Sequence, residues 1–210
     1  MKTADVRDLR QAMLSAADAI IAAEPFLTRI DAAIGDGDHG AGMKRGFSAM
    51  KREIAEQHFS SPYDLFYACG VCLVKSMGGA SGVLFGTLLI GGLQEIAGLE
   101  TFDGRALRAW LKGGVAAVMK RGKAQAGDKT MVDALLAAEA QMARLPADAG
   151  AGAVMRAAAD GALEGAQRTR EMMPRLGRSK NFRDQALGTQ DPGALSVSIL
   201  FGGMAAVLEV

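Results

Sequence analysis

The sequence predicts an all-α protein, a bundle of eight antiparallel helices. Three observations carry this. Ala, Leu and Met abound while Tyr, Trp and Pro are scarce, a composition that favours helix. Apolar residues recur at helical spacing along most of the chain, and no alternating run bounded by turns demands a strand. The breaks between periodic segments carry glycines, prolines and Ser or Asp caps where helices stop and start. At 210 residues, half of them hydrophobic, the chain reads as one domain over 1–210 with a sizeable core.

The first helix covers about 4–24, with Val6, Leu9, Met13, Ala17 and Ile20 on one face. An acidic stretch follows, and a second helix covers about 41–56. The third starts at Ser61-Pro62-Tyr63-Asp64, a Ser cap with Pro at the first helical position and an acid in the first turn, and runs to about 77. Gly78-Gly79-Ala80-Ser81-Gly82 breaks the chain before a very apolar fourth helix to about 97. The fifth covers about 103–122, the sixth opens after Ala126-Gly127-Asp128 and ends before Pro146, and the seventh covers about 149–173. The eighth opens at Asp191-Pro192-Gly193 and runs nearly to the C-terminus.

Composition also excludes. A formal net charge of +1 gives no general pull toward nucleic acid or a membrane surface. The N-terminal segment is amphipathic and lacks the apolar run of a signal peptide. The most apolar stretch, 83–93, is too short to span a bilayer. A cytoplasmic location is the expectation. Cys69 and Cys72 form a Cys-x-x-Cys, but they sit in an apolar helical run, no second Cys pair exists, and the only histidines are His39 and His58. Buried core thiols are the better reading than a zinc or redox pair.

Short connections favour antiparallel neighbours, so successive loops alternate between the two ends of the bundle. One end receives the plain linkers at 57–61, 98–102 and 146–148. The other receives four unusual loops: 34–40, 78–82, 122–130 and 178–193. In the first, Asp31, Asp36 and Asp38 crowd together, with glycines at 35, 37 and 40 to let the chain bend. Carboxylates so close repel unless cations neutralise them, and hard divalent ions such as magnesium prefer oxygen donors. A solvated acidic turn is the bland alternative. His39 directly follows, placed to bond a bound phosphate. Gly78 to Gly82 suits phosphate binding at a helix N-terminus, and equally suits close helix packing. In the third loop Arg121, Lys123 and Lys129 are placed to meet a polyphosphate and Met131 a purine ring, or Arg121 and Lys123 merely complement the end of one helix while Asp128 caps the next. The fourth loop is long and polar, with Arg178, Lys180 and Arg183, a length typical of a binding loop or lid.

Together these pieces carry a resemblance. Asp31-Ala-Ala-Ile-Gly-Asp36-Gly-Asp38-His39-Gly40, Gly78-Gly-Ala-Ser-Gly82, Arg121-Gly-Lys-Ala-Gln-Ala-Gly-Asp-Lys-Thr-Met131 and Gly188-Thr-Gln-Asp-Pro-Gly193 resemble, in order and spacing, the dihydroxyacetone kinase L-subunit family. The resemblance covers about residues 5–208. It implies that the eight helices close into a barrel, with ADP or ATP and two magnesium ions at one end. Asp31, Asp36 and Asp38 match the family's metal ligands. His39, Gly40, Ala80, Ser81, Gly122, Met131, Arg178, Asp191 and Gly193 match positions at or beside the nucleotide. One departure stands out: the family commonly has Asn where this chain has Gly42, three residues after His39. The segment 179–185 also diverges.

The resemblance further implies a phosphotransferase whose magnesium ions neutralise charge as the terminal phosphoryl group leaves. The keto-sugar would be held covalently by a histidine of a separate K subunit; neither His39 nor His58 lies in such a context, which fits a donor role. Two cycles remain open: ADP retained as a coenzyme and recharged by a phosphotransferase-system protein (the M subunit), or free exchange of ATP. The alternatives are an ADP-loaded regulatory module, and the L subunit of a kinase for erythrulose or another triose or tetrose. A homodimer is compatible with the sequence.

Overall fold

Helix starts are set by the caps that the sequence displays. In the computed structural model, which describes residues 2–209, Asp5 caps α1 (Val6–Ala22) and forms a reciprocal capping box with Asp8. Ser61 accepts from the Asp64 N–H to start α4 (Pro62–Ser76), and Asp103 accepts from Arg105 and Ala106 to start α6 (Gly104–Gly122). Asp191 accepts from the Ala194 N–H to start α9 (Pro192–Leu208). The remaining helices are α2 (Glu24–Ile34), α3 (His39–Glu56), α5 (Gly79–Ile90), α7 (Met131–Met142) and α8 (Ala151–Arg168).

Eight of these nine helices form a closed ring. α1 packs on α3, α3 on α4, α4 on α5, α5 on α6, α6 on α7 and α8, α7 on α8, α8 on α9, and α9 returns to α1. The closure is tight because it is built on small residues: a Cβ at Gly203 of α9 would lie 2.5 Å from the Ala16 Cα of α1. The extra helix is α2, which packs chiefly on α3 and lies outside this order. The sequence pattern merged its start with α1 and its end with the acidic loop. Pro25 explains the break. It lacks the N–H that an uninterrupted helix needs there, yet it is tolerated in the first turn of a new helix.

Other boundaries shift for equally local reasons. α7 starts at Met131, capped by Thr130 with Asp133 in a capping box, so Asp128 is not its cap. The predicted fourth helix ends at Ile90, because Gly91-Gly92 passes into a 3-10 turn at Leu93–Ile96. Two strands too short to leave an alternation, β1 (Thr3–Ala4) and β2 (Phe102–Asp103), pair antiparallel with Thr3 opposite Asp103.

The core fills the ring. Trp110 of α6 stacks on Phe66 of α4 with centroids 4.4 Å apart, and its Nε1–H donates to the Leu89 carbonyl of α5 at 3.0 Å. Cys69 and Cys72 are buried on α4. Burial pushes both thiols up, Cys72 to about 11 and Cys69 higher still, so neither is a ready thiolate. Residues 79–96 are long and apolar enough to suggest a membrane span by composition. In the fold they are a ring helix, a glycine break and a 3-10 turn, with Phe85, Leu88, Leu89, Leu93 and Ile96 buried in the core.

Candidate functional site

Backbone with positive φ is concentrated at one end of the ring. Apart from Gly98, every such residue among those described lies in the four loops singled out above or beside them, including the non-glycine residues Lys123, Lys129 and Arg183. Left-handed backbone costs energy in non-glycine residues, and it clusters where a fold holds an unusual shape for a purpose. The four loops line one cavity of about 660 Å³, within the range of small-molecule sites.

Asp31 enters this cavity from α2, not from a loop. A Cβ on Gly35 would sit 2.5 Å from the Asp31 Oδ1, so only glycine lets the chain fold over that carboxylate. Asp31 Oδ2 accepts from the His39 N–H at 3.1 Å, which ties α2 to the start of α3. Asp31, Asp36 and Asp38 each bring an oxygen within 4.8 Å of the others. The guanidinium of Arg178 reaches over from the fourth loop, paired with Asp36 and 3.4 Å from the Asp38 Oδ2. An all-oxygen donor set of this charge, already drawing a cation from another element, fits a hard divalent ion.

His39 lines the cavity with both ring nitrogens bonded within the chain. Its Nε2 lies 2.8 Å from the Ser196 Oγ and its Nδ1 3.3 Å from the Ser81 Oγ. Ser196 donates its hydroxyl proton to the Pro192 carbonyl. It must therefore accept from His39, which puts the imidazole proton on Nε2 and leaves Nδ1 to accept from Ser81. Burial depresses the His39 pKa, opposed by the Asp31 charge, so the ring is neutral. The histidine thus links the N-terminal turns of α3, α5 and α9 and orients the Ser81 hydroxyl.

No side chain caps the N-terminus of α5. Gly79, Ala80 and Ser81 line the cavity there with the N–H groups of an uncapped first turn, the arrangement that binds phosphate. Arg45 of α3 braces this loop: its Nε–H donates to the Ser76 carbonyl at 3.1 Å and its Nη2 to that of Met77. The sequence reading missed Arg45. Its signal was its helical spacing from the cavity-lining Ala41 and Gly42.

Of the site residues expected from the sequence, Asp31, Asp36, Asp38, His39, Ala80, Ser81, Gly122, Met131, Arg178, Asp191 and Gly193 line this one cavity. Gly40 does not. It is buried against α2, where a Cβ would meet the Thr28 Oγ1 at 2.3 Å and the Glu24 carbonyl at 2.5 Å. Gly42 lines the wall with nothing closer to a Cβ than the Met77 carbonyl at 3.7 Å. Asp191 is buried as well as capping α9, and burial raises its pKa to about 7 despite the helix N–H groups and Lys129. Lys129 was placed to meet a phosphate. Instead its ammonium is buried and bonded to the carbonyls of Thr169 and Thr189.

The comparison with known families is decisive. The DAK2 domain model matches residues 33–206. The chain belongs to the DAK2 domain family. Within it, this DAK2 chain is 34% identical over 179 residues to the ADP-binding subunit DhaL of PEP-dependent dihydroxyacetone kinase 1 from Listeria innocua, covering 85% of each chain. It is 34% identical over 182 residues to the corresponding DhaL subunit of Escherichia coli, covering 83% of this chain and 84% of that one. A D-erythrulose kinase of Mycolicibacterium smegmatis is 35% identical over 199 residues, but the match spans only 34% of that longer protein. Among solved structures, the dihydroxyacetone kinase of C. freundii in complex with AMP-PNP and Mg2+ superimposes with a TM-score of 0.76 at 26% identity, over 98% of this chain and 35% of that one.

Proposed function

We propose that this chain, acting as one domain over 1–210, is the nucleotide-binding subunit of a dihydroxyacetone-type kinase. In this reading it presents the phosphoryl donor to a keto-sugar held on a separate K subunit. One observation supports this above the others: an acidic triad and the uncapped N-terminus of α5 line the same cavity. Cation ligands and phosphate-binding N–H groups in one pocket fit a metal–nucleotide complex better than either fits alone.

Asp31, Asp36 and Asp38 would hold magnesium, two ions in the family's pattern. The metal would supply charge neutralisation on the phosphates and orient the terminal one. The N–H groups of Gly79 to Ser81, in a turn that the His39–Ser81 bond holds in place, would hold phosphate oxygens. Arg178 brings a further positive charge to the triad from the fourth loop. Met131 and Gly122 line the wall suited to the purine. The cavity offers no free imidazole to a sugar: both His39 nitrogens are engaged, and His58 lies away from it in the plain linker between α3 and α4. That supports an acceptor site on the partner.

The names of the Listeria and Escherichia relatives, PEP-dependent and ADP-binding, favour ADP kept as a coenzyme and recharged in place by a phosphotransferase-system protein. A cytoplasmic location follows from that chemistry. The erythrulose kinases among the relatives keep a second acceptor in view. Purified protein analysed for nucleotide, then reconstituted with its K partner over a panel of trioses and tetroses, tests the proposal. Retained ADP and Asp36-dependent transfer are expected; full transfer by Asp36→Ala would sink the kinase reading in favour of a regulatory module.

A further inference from the structure

The connection from Thr169 to Gln190, which contains most of the fourth loop, leaves the end of α8 and returns at the start of α9. Its two roots are zipped together. The Gly188 N–H donates to the Arg170 carbonyl at 2.9 Å, and the Asp191 N–H donates to the Thr169 Oγ1 at 2.9 Å. Between the roots, 3-10 turns at Ser179–Asn181 and Arg183–Ala186 follow Arg178, which reaches the acidic triad.

A group from elsewhere in the chain joins these roots. Lys129 is fully buried, whereas every other lysine among the described residues is at least partly exposed. Its ammonium donates to the Thr169 carbonyl at one root and to the Thr189 carbonyl at the other, 2.6 Å away. The third loop is shaped to deliver it. The Asp133 carboxylate accepts from the Gly127 and Thr130 N–H groups on either side, and the Asp128 carboxylate accepts from Gln125. Lys129 itself sits at φ 60°, a left-handed conformation that costs energy in a lysine. The Arg175 N–H also donates to the Asp128 carbonyl at 3.2 Å, so the loop holds the lid along its edge as well as at its roots. A buried ammonium shared between two carbonyls is a costly device to keep unless the geometry it fixes is used.

We propose that Lys129 is a positioning residue, its ammonium clamping the two roots of the 169–190 lid so that Arg178 is held over the Asp36 and Asp38 carboxylates. The clamp itself is read from this chain's own contacts. Its effect on nucleotide rests on the function proposed above. Because the third loop leads directly into Met131, the first residue of α7 and part of the cavity wall, the same segment that faces the base would set the lid that faces the phosphates.

The test uses Lys129→Met in the full chain, with hydrogen exchange measured without ligand and affinity for Mg2+·AMP-PNP measured by calorimetry. Amides of 170–188 should exchange at least about tenfold faster while ring-helix amides keep their rates. AMP-PNP should bind about tenfold more weakly, Arg178→Ala should weaken it similarly, and the double variant should be no worse than the weaker single one, because both remove one interaction. Faster exchange spread evenly over α7, α8 and α9, or losses that multiply in the double variant, overturns the proposal. If Lys129→Met does not fold, Lys129→Gln, which keeps two N–H donors without charge, takes its place. Failure of both to fold makes the residue a requirement of the barrel itself and also overturns it. Wild-type protein that ignores Mg2+·AMP-PNP refutes the nucleotide reading, while the exchange measurement still decides the clamp.

Discussion

Asp38→Asn separates a metal ligand from a structural carboxylate. Asp38 is highly exposed, and its side chain makes no capping bond to α3 although it occupies the N-cap. Two carboxylates have oxygens within 4.8 Å of its own, and the Arg178 guanidinium lies 3.4 Å away. In a water-like surrounding each such repulsion is worth about 1 kcal/mol and the single attraction slightly more. The terms oppose one another, and exposure screens them all. The ligand-free change should therefore stay within about 1 kcal/mol, a melting shift of no more than roughly 2–4 °C for a chain this size. The liganded state behaves otherwise. At a concentration of Mg2+·AMP-PNP a hundredfold above Kd, the wild-type protein gains about 2.7 kcal/mol by mass action. A tenfold loss of affinity would leave about 1.4 kcal/mol, halving the thermal shift. Scanning calorimetry with magnesium and nucleotide, nucleotide with chelator, and neither reads all three quantities. An undiminished shift in Asp38→Asn, or a wild-type shift that ignores the chelator, refutes the assignment of the triad to a metal–nucleotide complex.

Three further outcomes are expected. Asp191 binds its proton more tightly folded, at about 7, than an ordinary aspartate at 3.8, so its contribution to stability falls as pH rises from about 4 to 7 and is flat above. Asp191→Asn keeps the cap but loses the titration, so its stability relative to wild type should climb over that window in urea unfolding, and a flat difference would refute the burial argument. Gly42→Asn brings a Cβ only to ordinary van der Waals distance of the Met77 carbonyl (3.7 Å) and Arg45 Nη2 (3.8 Å), so it should leave the melting temperature nearly unchanged while tightening Mg2+·AMP-PNP binding by calorimetry; a large loss of stability would show that the wall is closed there. Gly40→Ala drives a methyl into the α2 backbone at Glu24 and Thr28, so it should cost about 1–3 kcal/mol and weaken metal binding by moving Asp31, measured by thermal unfolding with and without Mg2+.

The site end of the ring was legible because its signals are local. Ser61, Asp191 and the glycine runs announce where helices begin, and alternation of short loops then decides which loops share an end. α2 was not legible: Glu24-Pro25 ends one apolar pattern and starts another within two residues, and its eleven residues resemble a continuation of neighbouring segments. Lys129 was visible as a charge but not as a buried one. Its destination depends on a left-handed backbone fixed by Asp133 six residues from Gly127, and on carbonyls forty and sixty residues away. The pairing of His39 with Ser196 was hidden for the same reason, since 157 residues separate them.

The closing contact between α1 and α9 places the first and last described residues, Lys2 to Ala4 and Glu209, together at the pole away from the cavity. Thr3 and Ala4 pair with β2, the Ala151 N–H donates to the Lys2 carbonyl, Arg156 pairs with Glu209, and the last turn of α9 lies some 25 Å along the helix from Asp191. A tether leaving either terminus therefore need not cross the cavity mouth. The same module can work as a free-standing chain or be joined to a second domain on either side. That is the physical condition for its occurring as about a third of longer kinases such as the Mycolicibacterium relative. In a fused arrangement the tether would raise the local concentration of the acceptor domain without altering one residue of the donor pocket.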